Sequence, residues 1–228
     1  MKNLSAACVL ATVFLLFGCR DSGSAPSRPN LLYIIVDEMR GFSMSCTGDP
    51  NISTPGLDSL AAGGILCTRM YTPNPVCSPT RASIHTGLYP HNAGVPHNGY
   101  HLRETAPTLA EVLKASGYET GHIGKWHLNG ELSAFSEEDR KSFEPLSKEW
   151  SDPAGYAYVD SASHRGFTYW AGFEHGHQYF GSRYWGKEHQ AILLPEGKYE
   201  PDVQTDLAIG FIRNNRGKTW YLDLNFGT

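Results

Sequence analysis

The chain has 228 residues, five cysteines and a formal net charge of −4. That length is ample for a hydrophobic core, and a 40% hydrophobic share excludes a disordered, collagenous or coiled-coil protein. Charged residues make up only 18% and no basic block occurs, so nucleic-acid binding has no electrostatic basis.

Residues 1–19 read as an address. Lys2 precedes an apolar run from Leu4 to Phe17, shorter than a bilayer-spanning helix requires. The run ends Leu16-Phe17-Gly18-Cys19, a small residue before a cysteine, which is the pattern of a bacterial lipoprotein signal with lipidation at Cys19. The expected product is an exported protein, periplasmic or anchored to the outer membrane through its N-terminal lipid. Residues 20–29, rich in Ser, Gly and Pro, read as a flexible tether, and 30–228 as the folded domain.

Within that domain, Leu31 to Val36 is an unbroken apolar run, the pattern of a central strand covered on both faces, and it stops at Asp37-Glu38. Thr54-Pro55 opens a helix with Leu57, Leu60 and Ala61 at helical spacing, closed by Gly63-Gly64. Ile65 to Tyr71 reads as a strand, Ser78 to Thr86 as a helix ended by Gly87, and Pro107 to Ser116 as a helix stopped by Gly117. Tyr118 to Ile123 is a strand. Asn129 to about Ala162 is an irregular, charged excursion. Asp202 to Arg213 is a helix with Val203, Leu207 and Phe211 aligned, and Thr219 to Phe226 is a strand. Alternating strands and helices give an α/β class with a mixed, largely parallel sheet flanked by helices on both faces.

Ligands in such sheets bind beyond the carboxyl ends of the strands, which makes Asp37 and Glu38 site candidates. Paired carboxylates suit a hard cation, calcium or magnesium. Pro75-Val76-Cys77-Ser78-Pro79-Thr80-Arg81 places Cys77 at a helix N-terminus, where free N–H groups favour an anion. Arg81 lies one turn further on the same side and can fork onto anionic oxygens. A plain thiol at position 77 would be an acidified nucleophile. Cys46 and Cys67 are either a pair or two buried free thiols.

Cys77-x-Pro79-x-Arg81, continued to Thr86-Gly87, resembles the signature of the type I, formylglycine-dependent sulfatases of the alkaline-phosphatase-like superfamily. Gly117-Tyr118-Glu119-Thr120 and Gly124-Lys125-Trp126-His127-Leu128 match the second signature of that family. Asn30 to Asp37 and Thr54 to Ala61 are similar in kind and order. The resemblance implies a sulfuric ester hydrolase for a sulfated glycan or an aryl or alkyl sulfate. It implies that a formylglycine-generating maturation enzyme oxidises Cys77 to the aldehyde 3-oxoalanine. The hydrated aldehyde attacks sulfur, and a base matched by His127 helps expel sulfate. Arg81 and Lys125 match the cations that offset developing charge, while Asp37, with Glu38 and residue 77, match calcium ligands.

Glu38 departs from the Asp usual in the family, and Asn129 replaces a Gly. The family's later Asp and Asn metal ligands, and a later His and Lys on the sulfate, have no counterpart here, so the chain corresponds to the N-terminal portion of such a sulfatase. The alternatives are a phosphonate monoester or phosphodiester hydrolase of the same superfamily, or a catalytically incomplete, membrane-tethered fragment. Residues 150–185 hold eleven aromatics, read mainly as packing. His175, His177 and Tyr179 are the substrate-contact candidates from that stretch. His175-Gly176-His177 has metal-compatible spacing but lacks further zinc ligands. His91, His97, His101 and His122 are assigned by default to surface or core.

Overall fold

A computed structural model describes residues 28–130, 159–174, 179–188 and 190–227. Cys19 and most of the tether lie outside these residues, as does most of the 129–162 excursion. Six strands form one sheet: β1 (Leu31–Val36), β2 (Glu119–Lys125), β3 (Tyr169–Phe173), β4 (Arg183–Gly186), β5 (Ala191–Leu193) and β6 (Trp220–Phe226). Their spatial order is β1-β6-β2-β3-β4-β5. The first four in that order run parallel, and β4 and β5 are antiparallel additions. The largely parallel α/β sheet is therefore present. The sequence pattern did not announce β3, β4 and β5, which are only five, four and three residues long.

Each helix follows from its punctuation. Helix α1 (Pro55–Gly63) starts on a proline, which needs no hydrogen-bond acceptor there. Helix α2 (Cys77–Thr86) ends where Gly87 turns left-handed, at φ 70°, and donates its N–H to Ser83. A short helix α3 (Pro90–Ala93) follows. Helix α4 (Leu109–Ala115) is opened by a capping box: the Thr108 hydroxyl accepts from Glu111 N–H, and the Glu111 carboxylate accepts from Thr108 N–H. Helix α5 (Glu200–Asn214) carries Glu200 and Asp202 in its first turn and Arg213 in its last, matching the helix dipole.

Period-2 alternation divides the core into two layers. On β6, Trp220, Leu222 and Leu224 pack with Ala208 and Phe211 of α5, together with Ile123 and Ala171. Tyr221 faces the other way, into a layer with Ala82 of α2, Ala110 of α4, Trp126, Phe167 and Trp170.

Two strand expectations fail. β1 is the outer strand of the described sheet, and Leu32, Tyr33 and Ile34 are 48%, 39% and 45% exposed, so its apolar run is not covered on both faces. Residues 65–71 form no strand and pair with none of the described strands, and Ile65 and Tyr71 are exposed. The apolar residues of α1 are likewise exposed, Leu60 at 67%. Cys46 and Cys67 stand as free thiols, the second exposed rather than buried.

Gly124 fixes how β2 meets β6. Its φ is +99°, and a Cβ there would lie 2.0 Å from the carbonyl oxygen of Asn225. Gly124→Ala is expected to cost roughly 3 kcal/mol or more. The melting temperature should fall by on the order of 10 °C; an unchanged melting temperature would show that this close approach is not needed.

Candidate active site

Three parallel strands end side by side, and each contributes one polar group. Asp37 follows β1, and its N–H donates to the Phe226 carbonyl at 3.0 Å, so the turn out of β1 is pinned to β6. Lys125 is the last residue of β2, and Asn225 the penultimate residue of β6. Arg81 comes from the second turn of α2 and meets all three. Its Nη1 donates to the Lys125 carbonyl and to Asn225 Oδ1, both at 2.8 Å. Its Nη2 lies 3.4 Å from Asp37 Oδ1. Lys125 Nζ donates to Asp37 Oδ2 at 2.8 Å. Asp37, Arg81, Lys125 and Asn225 are all buried.

Cys77 is the first residue of α2, preceded by extended Val76. Ser78 N–H donates to Asn98 Oδ1 at 2.9 Å, which anchors the helix start beside residue 77. The Cys77 side chain is half-buried. Arg81 follows at i+4, on the same helical face. His127 sits on the segment leaving β2. That segment is held where Trp126 N–H donates to the Phe173 carbonyl and the Leu128 carbonyl accepts from Leu102 N–H. His127 itself has φ 59°, a left-handed backbone that costs a residue with a Cβ about 1–2 kcal/mol. Glu38 also adopts this region, at φ 57°, and its side chain is exposed.

Two buried cations, Arg81 and Lys125, converge on the Asp37 carboxylate, which sets two fixed positive groups at the strand ends where an anionic group could dock. Its fit to calcium is partial. Asp37 offers the hard oxygens that calcium prefers, yet both of them already face cations. Among the described residues no group of three or more His, Cys, Asp or Glu could hold a metal ion.

The structure thus brings together Asp37, Arg81 and Lys125, with Cys77 on the helix that carries Arg81 and His127 two residues beyond Lys125. His175 and His177 lie outside the described residues. Tyr179 is 46% exposed and lines, with Phe180, Tyr199, Val36 and Phe226, an open depression of about 560 Å³ near the β1 end. Among the aromatics of residues 150–185, Phe167, Trp170, Phe173 and Tyr184 are buried packing residues. His91 and His97 are exposed, and His101 bridges to Asn129 away from the cluster.

Sequence reasoning missed Asn225, and with it Asp223, His85 and the position of His122. Asn225 Nδ2 donates to Asp223 Oδ2 at 2.7 Å, and His122 Nδ1 lies 2.7 Å from the same oxygen. The available signal was the strand Trp220-Tyr-Leu-Asp-Leu-Asn-Phe226, in which two polar residues alternate on one face of an otherwise apolar run.

The sulfatase family model matches residues 29–226 of this chain. This chain belongs to the sulfatase family. It lies within the alkaline-phosphatase-like superfamily and covers an N-terminal portion of the family's length. An ulvan-active sulfatase of Formosa agariphila is 34% identical over 198 residues, spanning 84% of this chain and 34% of its own length. Human arylsulfatase A is 42% identical over 114 residues, 47% of this chain and 22% of that protein. The sulfatase chain also superposes on the YidJ protein of Bacteroides fragilis with a TM-score of 0.72 at 24% identity, covering 90% of this chain and 45% of that one. A structure of BT4656 in complex with its substrate D-glucosamine-2-N,6-O-disulfate matches with a TM-score of 0.67 at 27% identity, over 87% of this chain and 34% of that chain. This chain therefore spans about a third of the ulvan-active sulfatase and under half of these solved structures.

Burial carries a pH signature in this sulfatase chain. His85 is fully enclosed, and burial first, with Arg81 and His122 adding to it and Asp223 opposing, lowers its pKa to about 4. Between its ordinary value of 6.5 and about 4 the unfolded chain binds a proton that the folded chain refuses. The stability this term supplies is complete above pH 6.5 and is lost as pH falls toward 4. His85→Gln should therefore lose about 2 to 3 kcal/mol less than the native chain between pH 7.5 and 4.5. Urea unfolding at the two pH values measures this, and equal losses would remove His85 from the account.

Proposed function

We propose that this chain supplies the nucleophile and its charge-offsetting cations to a hydrolase of sulfate monoesters on glycans. The observation that carries the reading is the buried Arg81–Asp37–Lys125 cluster at the strand ends, beside a helix that begins at Cys77. A sulfate ester is an anion that gains charge on its leaving oxygen as the bond to sulfur breaks. Fixed cations aimed at that point lower the barrier without reorganising, because burial has already removed their water. The relatives named above are sulfatases, which favours sulfate over phosphonate or phosphodiester. Among these relatives, ulvan and glucosamine disulfate are the named carbohydrate ligands, which supports a glycan.

Once oxidised to an aldehyde and hydrated, residue 77 would supply two geminal hydroxyls, one to attack sulfur and one whose deprotonation expels sulfate. The chain's own residues prepare that chemistry. The start of α2 presents residue 77 at the positive end of the helix. Arg81, one turn on, would hold oxygens of an oxidised residue 77 through its Nη2 side, while Nη1 stays committed to Lys125 and Asn225. Lys125 offsets negative charge from the adjacent strand end. His127 is the base that removes the second hydroxyl proton. Asp37, with Glu38 beside it, is this chain's contribution to a calcium site, and the ion would polarise the sulfate and the attacking oxygen. Lipidation at Cys19 would place the enzyme at a membrane surface, where polymeric substrates arrive.

Two measurements test this reading. In a host with the maturation enzyme, the tryptic peptide containing residue 77 should carry an aldehyde, and in a sulfatase that joins this chain to the family's later metal and sulfate ligands, Cys77→Ala or His127→Ala should lower turnover of a sulfated sugar by about 10³-fold or more. Full turnover with an unmodified thiol would overturn the assignment. Separately, labelled palmitate should enter the native chain and not Cys19→Ala; equal labelling would remove the lipid anchor.

A further inference from the structure

Below Arg81, the face of β6 turned toward α2 carries Asp223 and Asn225, both fully buried. Burying two polar side chains at alternate positions of a strand is costly unless their hydrogen bonds are completed. Asn225 completes its own in one direction only: Nδ2 donates to Asp223 Oδ2 at 2.7 Å, and Oδ1 accepts from Arg81 Nη1 at 2.8 Å. A primary amide is nearly symmetric in shape, so its orientation is set by its partners. Arg81 can only donate, and an ionised Asp223 can only accept. Neither leaves Asn225 a choice.

Asp223 is held in turn. His122 Nδ1 lies 2.7 Å from Asp223 Oδ2, and its Nε2 lies 3.2 Å from the Gly124 carbonyl. The His122 ring is boxed by Trp170, stacked at 4.4 Å, with Trp126 at 5.3 Å and Phe167 at 5.4 Å. His85, one turn beyond Arg81 on α2, approaches Asp223 Oδ2 to 3.7 Å. Burial works to raise the Asp223 carboxyl, but the pull of His85 and His122 and the hydrogen bonds from His122 and Asn225 outweigh it and hold the group below the usual carboxylate range.

We infer that Asp223 is a positioning residue: by orienting the amide of Asn225 it fixes the guanidinium of Arg81 at the strand ends. Arg81 Nη1 is then tied at two points, Asn225 Oδ1 and the Lys125 carbonyl, and the guanidinium plane cannot turn. Nη2 then stays toward Asp37. Replacing the Asp223 carboxylate with an amide of the same shape removes the constraint, because each of the two facing amides can then present either end. Asn225 could turn its own N–H groups toward Arg81, and one of the two ties would be lost. The consequence for turnover rests on the sulfatase reading above; the orientation of Arg81 does not.

The test uses the full chain, labelled with ¹⁵N, and reads the Arg81 guanidinium by NMR, with its signals assigned by their loss in Arg81→Lys. The native chain should show separate Nη1 and Nη2 resonances, the mark of hindered rotation. In Asp223→Asn they should merge into one averaged signal, with melting curves confirming a folded chain. Asn225→Ala carries the same test if Asp223→Asn does not fold, since it removes one tie directly. Separate resonances retained in a folded variant would overturn the proposal. Turnover of a sulfated sugar is then measured in a matured sulfatase that joins this chain to the family's later metal and sulfate ligands. A fall in kcat of roughly 10²-fold, with KM changed less than about threefold, is expected from a displaced charge-offsetting group. Merged resonances in a chain whose native form hydrolyses no sulfate would uphold the positioning role and strike the sulfatase reading. Merged resonances with kcat unchanged would overturn the link between Arg81 orientation and catalysis.

Discussion

The guanidinium of Arg81 is where the helix and sheet layers of this protein are joined at the site. It reaches from the second turn of α2 to the ends of β1, β2 and β6, and it does so while almost wholly buried. A buried cation is tolerated only when charge and hydrogen bonds are both supplied. Here the Asp37 carboxylate supplies charge, and the Lys125 carbonyl and the Asn225 amide supply acceptors. Because Asp37 is shared with Lys125, the positions of both cations depend on one carboxylate. Displacing that carboxylate would take an ion-pair partner from both cations at once, so α2 docks on strand ends that must be built accurately.

The two faces of the sheet divide the labour. On the α5 side, Trp220, Leu222, Leu224, Ile123 and Phe211 make an apolar layer with no side-chain ion pair among them. Such a layer is stable and indifferent to small shifts in charge. On the α2 side, the same strands carry His122, Asp223 and Asn225 among Trp126, Phe167 and Trp170. This mixed layer gives up some hydrophobic stabilisation. In return it has directional contacts, which allow few arrangements of the groups above it.

This division also explains what could be read from the chain before its fold was known. Cys77, Arg81 and Asp37 were legible because each stands next to a strand end or helix start that its neighbours announce: Pro79 and Gly87 frame α2, and the apolar run Leu31–Val36 stops at Asp37; Lys125 was legible only through the resemblance of Gly124-Lys125-Trp126-His127-Leu128 to a family signature. Asn225 and Asp223 were not. Their partners lie 144 and 101 residues away along the chain, Arg81 for one and His122 for the other, and a local pattern contains no record of such pairing. The error over β1 has a related cause. Continuous apolarity shows that a strand requires cover on both faces, but it does not show which other segment provides that cover. The segment 65–71 failed for the same reason in reverse: an extended, apolar stretch becomes a strand only if another strand accepts its backbone hydrogen bonds. The short strands β3 to β5 escaped because five, four and three residues are too few to show a period-2 pattern.

A rigid floor matters most where charge appears at a fixed point during a reaction. In water, dipoles would turn to meet that charge and the energy of turning them would be part of the barrier. In this corner the turning has been done during folding. Arg81 has surrendered Nη1 to two acceptors before any substrate arrives, and Asn225 has surrendered its amide to Arg81 and Asp223. The free energy needed to bury these groups is met by the packing of Trp126, Phe167 and Trp170 around them and by the apolar layer across the sheet. Stability in this fold is therefore not spread evenly. The α5 face packs an apolar layer where the α2 face holds charges that water would otherwise relax.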